Sequence, residues 1–414
     1  MKFSEYTITA KPEQSVDPLG FTKSFSALRN RFFSQFTVLS NSPAYHGMLA
    51  LVYQLLAENK ITPGKNDFSL RFREMECIWG LACVSAGKTL LNVTKYQAIL
   101  TGRDSLNRAN IKSSNAIFRS LAYGTLGHYS NPSVAWGFLE RGGACLTPMG
   151  KQLADTFASR GKQSLKKVLV SWSNKDEITR QELEALGNAY GLDSPAQPSE
   201  KKVWEDAVAG WVQRAPHSKC FWEDPLSEEE LNDMCSSAVH YRSFFPTLEK
   251  RYPNLKSAFD QASRFETMSA ICLFIFEREY LLCHDAGTAI PEIGNLEKNL
   301  ASRLCDLAKI SLANQDNLVT KDWTTAFATD SDYKSVSKII VQHHEQHQKS
   351  KSAQPYMENG QLRVRERFDR DTFTEMHEEI SELTNAAQQI DLLTYYYRRD
   401  WHFDRAIRYL RYFR

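Results

Sequence analysis

Apolar residues recur every three or four positions along most of this chain, the spacing that lines one face of an α-helix. The run Tyr45 to Glu58 (YHGMLALVYQLLAE) keeps that spacing between Pro43 and Pro63, which predicts a helix bounded by two prolines. Phe72 to Ala82 reads as a second buried helix, and Arg264 to Cys283 as a long core helix. Thr179 followed by Glu182 is a capping box, with Gly191 as the expected stop. Ser227 with Glu230 repeats the box. Residues 193–200 (DSPAQPSE) read as a short linker. Strict alternation is scarce. It occurs where Leu362 and Val364 alternate with Arg363 and Arg365, just after Asn359-Gly360, a dipeptide that favours a hairpin turn. The pattern predicts a mainly α, multi-helix protein with a few short strands.

Residues 111–157 are the most informative stretch. Ile117 to Tyr123 reads as a helix. Asn131-Pro132 starts another, since proline suits the first helical position. That helix passes Val134, Trp136, Phe138 and Leu139 and ends at Gly142-Gly143. Ala144-Cys145-Leu146 follows as a short strand, and Thr147-Pro148-Met149-Gly150 opens the next helix. Helix, glycine turn, strand, L-T-P-x-G and an apolar-periodic helix resemble the later half of a bacterial winged helix-turn-helix domain. The resemblance implies a recognition helix from about Ser130 to Glu140, lying in the major groove. It places Tyr129, Ser130, Asn131 and Ser133 against DNA and Arg141 beside the wing. Lys151, Arg160, Lys162, Lys166 and Lys167 would meet phosphates. The helix has no Arg or Lys before Arg141, so bidentate guanine readout is missing. Winged helices also dock proteins.

A looser likeness runs further. Asp17-Pro18-Leu19-Gly20, then Arg71-Phe72-Arg73 before Glu76 and Trp79, the L-T-P-x-G block, and His343-His344 with His347 as HHxxH resemble blocks of uncharacterised helical proteins encoded in bacterial restriction and phage-defence islands. That likeness implies an accessory or sensing role beside nucleases or helicases. The expected organisation is a helical domain over 1–110, a winged-helix-like domain over 111–170 and a second helical domain over 171–333. A C-terminal region over 334–414 would carry the His-rich helix, a short hairpin and a basic-aromatic terminal helix.

Charge sharpens where a polyanion would bind. The 414 residues carry 51 Lys and Arg against 49 Asp and Glu, a net +2. Residues 1–170 hold 21 against 10, giving +11, and residues 171–414 hold 30 against 39, giving −9. A basic front part predicts contact with nucleic acid, the usual soluble polyanion. The alternative is that it packs on the acidic remainder. At 42% hydrophobic and 24% charged residues, a fully disordered chain is excluded. The longest apolar stretch, Met268 to Phe276, is far too short to span a bilayer. The first residues lack the apolar run of a signal peptide. A cytoplasmic protein without a membrane partner is expected. The eight cysteines form no C-x-x-C pair, which argues against a zinc ribbon or redox site and fits buried thiols in a reducing compartment. No cofactor is expected.

Four further features have competing readings. Gly87-Lys88-Thr89 ends like a P-loop, but position 82 is Ala, so the glycine that the phosphate loop needs is missing; a loop after a helix is favoured. His343 and His347 stand at i, i+4, which puts two imidazoles on one helix face for a metal. The polar surroundings favour a solvated helix instead. Glu358, Glu366, Asp369 and Lys349 are acidic and basic groups a nuclease could use, with no recognised spacing. Cys283-His284-Asp285 is only a string of neighbours, and catalytic Cys/His pairs meet in space. Residues 391–414 interleave Tyr395, Tyr396, Tyr397, Trp401, Phe403, Tyr409, Tyr412 and Phe413 with six arginines. This suits a helix docked on the body first, a protein interface next and nucleic acid third.

These readings converge on a non-catalytic DNA-binding or adaptor component of a bacterial anti-phage defence system, with other defence subunits as partners. The alternatives are a metal-dependent nuclease using the His343/His347 region and a protein-interaction scaffold.

Overall fold

The computed structural model of the chain describes residues 17–33, 36, 42–63, 66–88, 90, 93–107, 125–143, 145–161, 165–171, 177–214, 216–284, 295–314, 321–358, 361–363, 370–401, 403, 405–406 and 409. Among them lie nineteen α-helices and two sheets of two strands each. In chain order the helices are α1 (Phe21–Phe33), α2 (Ala44–Glu58), α3 (Asn66–Ser85), α4 (Val93–Leu100), α5 (Thr125–Trp136), α6 (Pro148–Ala158), α7 (Leu165–Ser171), α8 (Arg180–Tyr190), α9 (Pro198–Arg214) and α10 (Pro216–Glu223). There follow α11 (Glu228–Cys235), α12 (Ala238–Arg242), α13 (Phe244–Arg251), α14 (Lys256–His284), α15 (Asn295–Ala313), α16 (Lys321–Thr329), α17 (Tyr333–Ser350), α18 (Arg370–Glu382) and α19 (Ala386–Tyr396). The protein is mainly helical, as the periodicity predicts.

The chain divides into two compact units, each made of separated segments. One comprises Met1–Arg29 and Glu229–Trp401, the other Asn30–Glu228 and His402–Arg414. The sequence predicts four consecutive pieces; composition alone does not reveal that Met1–Arg29 groups with Glu229–Trp401, or His402–Arg414 with Asn30–Glu228.

In the second unit, α2 is buried on nearly all sides, from Ala44 to Tyr53 and at Leu55 and Leu56. A helix apolar all round is a core helix. At Gly47, on its first turns, a side chain would run into the Phe157 ring of α6. Helices α3 and α8 meet equally closely at Gly187, where a Cβ would run into the Ala82 carbonyl. The Trp79 indole N–H donates to the Tyr190 carbonyl at 2.9 Å. Strands β1 (Ser105–Asn107) and β2 (Glu177–Thr179) pair antiparallel with Leu106 opposite Ile178, and both residues are buried. The Thr179/Glu182 capping box is formed in both directions and α8 stops at Gly191, as expected. Gly87 has φ 73°, and the N–H groups of Gly87 and Lys88 bond the carbonyls of Val84 and Cys83 at 3.0 and 2.9 Å. That is a Schellman helix stop, so the glycine before Lys88 ends α3, and Lys88 pairs with Asp193 at 2.9 Å.

Two sequence expectations change here. Pro132 sits inside α5 rather than opening a helix. Its ring removes one backbone donor, yet Tyr129, Pro132, Ser133 and Trp136 are all buried on one face, and that packing carries the helix past it. Residues 193–200 are no linker: Ser194, Ala196 and Glu200 are buried and α9 begins at Pro198.

In the first unit the 29-residue α14 is the central element. Its buried Glu266 accepts hydrogen bonds from the Tyr241 hydroxyl, from the Trp401 indole at 2.9 Å and from the Arg399 backbone N–H at 2.8 Å. The Arg399 guanidinium lies 5.4–5.8 Å from the ring centres of Phe21, Phe25 and Phe265. The aromatic-arginine tail is thus partly built into this core. In the second unit, Tyr409 is buried, packs edge-on against Phe36 at 4.9 Å and donates its hydroxyl to the Ser42 carbonyl at 3.0 Å. The docked reading of this tail fits, although the described helix ends at Tyr396 and residues 411–414 lie outside the described residues. Strands β3 (Met357–Glu358) and β4 (Gln361–Leu362) form the hairpin expected around residues 359–360. The eight cysteines are free thiols.

Candidate functional site

The block read as a winged helix consists, among the described residues, of α5, a glycine turn, one isolated β-bridge between Leu139 and Leu146, and α6. Gly137, Gly142 and Gly143 take φ between 66° and 89°, which turns the chain where side chains would be strained. Thr147 caps α6, accepting from the Gly150 N–H at 3.0 Å while its hydroxyl donates to the Gly137 carbonyl at 2.7 Å. Proline follows at the first helical position. The L-T-P-x-G motif is therefore a helix start locked onto the preceding turn. Gly150 is obligatory because a Cβ there would strike the Phe138 carbonyl. The expected helix at 117–123 lies outside the described residues.

The residues expected to face DNA divide sharply. Tyr129 is fully buried and stacks on Tyr45 with ring centres 4.4 Å apart. Ser133 is fully buried, with its hydroxyl 2.7 Å from His46 Nδ1. Ser130 is half-buried and donates its hydroxyl to the Leu126 carbonyl. Arg160 is also buried; its guanidinium makes two 2.6 Å bonds to the Glu200 carboxylate and lies 4.6 Å over the Phe157 ring. These placements correct the sequence reading. Tyr129, Ser133 and Arg160 are core residues because helix periodicity carries the inward face of α5 through 129, 133 and 136, and because a desolvated arginine needs a carboxylate partner. Asn131, Arg141, Lys151 and Lys167 are exposed. Lys166 pairs with Glu58 at 2.8 Å at the surface. Lys162 lies outside the described residues.

The His46–Ser133 pair has the spacing of a nucleophile and its base. Both residues are fully buried, and burial holds the imidazole down to about 3, so it does not take a proton near neutrality. The rings of Tyr129, Phe138 and Trp204 surround it at 5.2–6.1 Å. It is a neutral core histidine.

In the first unit the histidine face of α17 meets the segment just before α1. His344 is fully buried; its Nδ1 lies 2.8 Å from the Pro18 carbonyl, and its Nε2 accepts the Tyr356 N–H at 2.8 Å. His343 Nε2 lies 3.2 Å from the Leu19 carbonyl, with its ring 3.9 Å from that of Trp323. The His343 and His347 rings are parallel at 5.9 Å. Gln348 donates to the Asp17 and Pro18 carbonyls at 3.3 and 3.2 Å. Asp17 caps α1, its two oxygens each 3.0 Å from the N–H groups of Phe21 and Thr22. Gly20, at φ 77°, lies flat against the His347 ring. Burial holds His343 and His344 down to about 4 each. Two blocks from distant parts of the sequence, D-P-L-G and HHxxH, are thus one assembly.

This assembly does not present the metal-ligand set that the i, i+4 spacing suggested. His343 engages a backbone carbonyl rather than standing open, and no group of three His, Cys, Asp or Glu side chains among the described residues could hold a metal. Glu358 pairs with Lys349 at 2.7 Å and Arg363 at 3.4 Å. Glu366, Asp369 and Asp285 lie outside the described residues. Next to the histidines is a cavity of about 490 Å³, lined by Asp17, Gly20, Lys23, Trp323, His343, His347 and Lys351 among others. Sequence reasoning missed Lys23, Trp323 and Lys351, since nothing local links them; an aspartate just before a helix was the one readable signal. No described helix is long and apolar enough to cross a membrane. No protein-family model matches the chain, and no curated protein or solved structure matches it significantly.

Proposed function

We propose that this protein is a non-catalytic nucleic-acid-binding or adaptor component of a bacterial anti-phage defence system, acting from the cytoplasm beside other defence subunits. The observation that carries the reading is how charge divides between the two compact units. Counted by unit, Asn30–Glu228 with His402–Arg414 holds 27 Lys and Arg against 19 Asp and Glu, a net +8; the other holds 24 against 30, a net −6. A polyanion is drawn to the basic unit. Within it, Asn131, Arg141, Lys151 and Lys167 remain at the surface of the α5–α7 block, where they suit phosphate contact better than base readout. Binding of this kind is weakly sequence-specific and strongly salt-dependent. The defence assignment rests on the D-P-L-G, L-T-P-x-G and HHxxH blocks, each of which has a definite structural task.

A gel shift with duplex and single-stranded DNA across a salt series is the test. Retardation at micromolar protein that weakens steeply with salt, and is lost in the triple variant Arg141→Glu, Lys151→Glu, Lys167→Glu, supports the reading. No salt-sensitive binding at micromolar protein sinks it.

A further inference from the structure

The cavity beside α1 and α17 is the feature of the first unit that the nucleic-acid reading leaves unused. Its volume, about 490 Å³, falls in the range of small-molecule sites. The geometry points to a binding site for a small phosphate-bearing molecule, held by Lys23 and Lys351 with the Thr22, Ser24 and Ser26 hydroxyls.

The lining supports this class by its charge and donor inventory. Two lysines and three hydroxyl-bearing residues are among the residues that line the cavity, with Asp17 as the one acidic residue. That carboxylate is turned to its own helix, since both oxygens accept from backbone N–H groups of α1 at 3.0 Å. The N-terminus of α1 is therefore already capped, and the binding groups are side chains. His343 and His347 also line the cavity, and burial lowers both imidazoles, which favours their uncharged forms. The buried Nε2 of His347 has no hydrogen-bond partner, and a buried polar atom left in that state is uncommon. Trp323 and Phe21 supply an apolar wall, which a phosphate ion alone would not use and an organic phosphate would. The inference is independent of the nucleic-acid reading, because it concerns the acidic unit.

Isothermal titration of the full chain with AMP, adenosine and inorganic phosphate tests it. Saturable AMP binding in the millimolar range or tighter, competed by inorganic phosphate and weakened about tenfold or more in Lys23→Glu and in Lys351→Glu, is expected. Both lysines are exposed, so the variants fold, which a thermal melt matching the parent verifies. Phosphate binding as tight as AMP binding would overturn the organic part of the inference, since Trp323 and Phe21 would then add nothing. Absence of saturable heat with AMP and with phosphate overturns the proposal. So does AMP affinity unchanged in both variants, or adenosine binding as tightly as AMP.

Discussion

The imidazole of His344 stands 2.8 Å from the Pro18 carbonyl, joining two residues 326 positions apart in the chain. Its other nitrogen accepts the Tyr356 N–H, so only the neutral tautomer protonated at Nδ1 satisfies both bonds. Truncation leaves a buried carbonyl and a buried N–H without their partner and opens a cavity. His344→Ala should therefore cost about 2–4 kcal/mol in urea unfolding. The sign of its pH dependence follows from burial, which holds the folded group at about 4 against an ordinary 6.5. Its stabilising contribution is complete above pH 6.5 and is lost as pH falls towards 4. The variant should lose less stability than the parent across that window.

Arg160 separates a core role from a phosphate contact. Its side chain and that of Glu200 are almost wholly buried and paired at 2.6 Å. Arg160→Ala strands the carboxylate and should destabilise by about 3–5 kcal/mol. Arg160→Met with Glu200→Leu should recover most of that loss, because removing both charges ends the desolvation problem. Lys151→Ala, on the exposed face of α6, should leave the urea midpoint unchanged. A midpoint unmoved by Arg160→Ala would return this residue to the surface.

Glu277 gives a pH effect of the opposite sign to the histidines. Burial pushes its carboxyl up to about 7, partly offset by the Tyr397 hydroxyl bonded to it. The folded state then holds a proton that the unfolded chain releases near 4.5. Its contribution is complete below about pH 4.5 and is lost as pH rises through about 7. Glu277→Gln keeps the side-chain shape and removes the ionised form. The variant should gain about 2 kcal/mol over the parent at pH 8 and little at pH 4.5, read from urea midpoints at the two pH values.

At Gly20 the segment before α1 packs closely on α17. The Gly20 φ of 77° favours glycine, and an added Cβ would come 2.6 Å from the His347 ring. Gly20→Ala should destabilise by about 1–2 kcal/mol from backbone strain alone, with displacement of the ring in addition. Gly102→Ala, at φ 70° with nothing within 4 Å of the added carbon, isolates the strain component. Equal losses in the two variants would show that the imidazole contact adds nothing.

Local signals suffice where the chain decides locally. The Thr179/Glu182 box, the end of α3 before Lys88 and the hairpin at 357–362 depend on residues within a few positions of one another, and all three are present. The candidate DNA face is not legible in the sequence, for a physical reason. A serine or a tyrosine on a short helix looks the same whether it faces water or a core, and the partner that decides lies far away. Ser133 was taken inward by His46, 87 positions earlier, and Arg160 by Glu200, 40 positions later. The i, i+4 histidines were legible as one face of a helix. What they face, the Pro18 and Leu19 carbonyls, was not.

By itself, then, the amino-acid order determined the helical class, the caps and the turns, because hydrogen bonds and apolar periodicity within a segment suffice for these. It also determined that charge is unequally shared. Only the tertiary structure decided which cations stay in water, since burial depends on what packs against each face. It likewise assembled D-P-L-G with HHxxH, and brought Lys23 and Lys351 to one cavity, because these contacts form only when distant segments share a core.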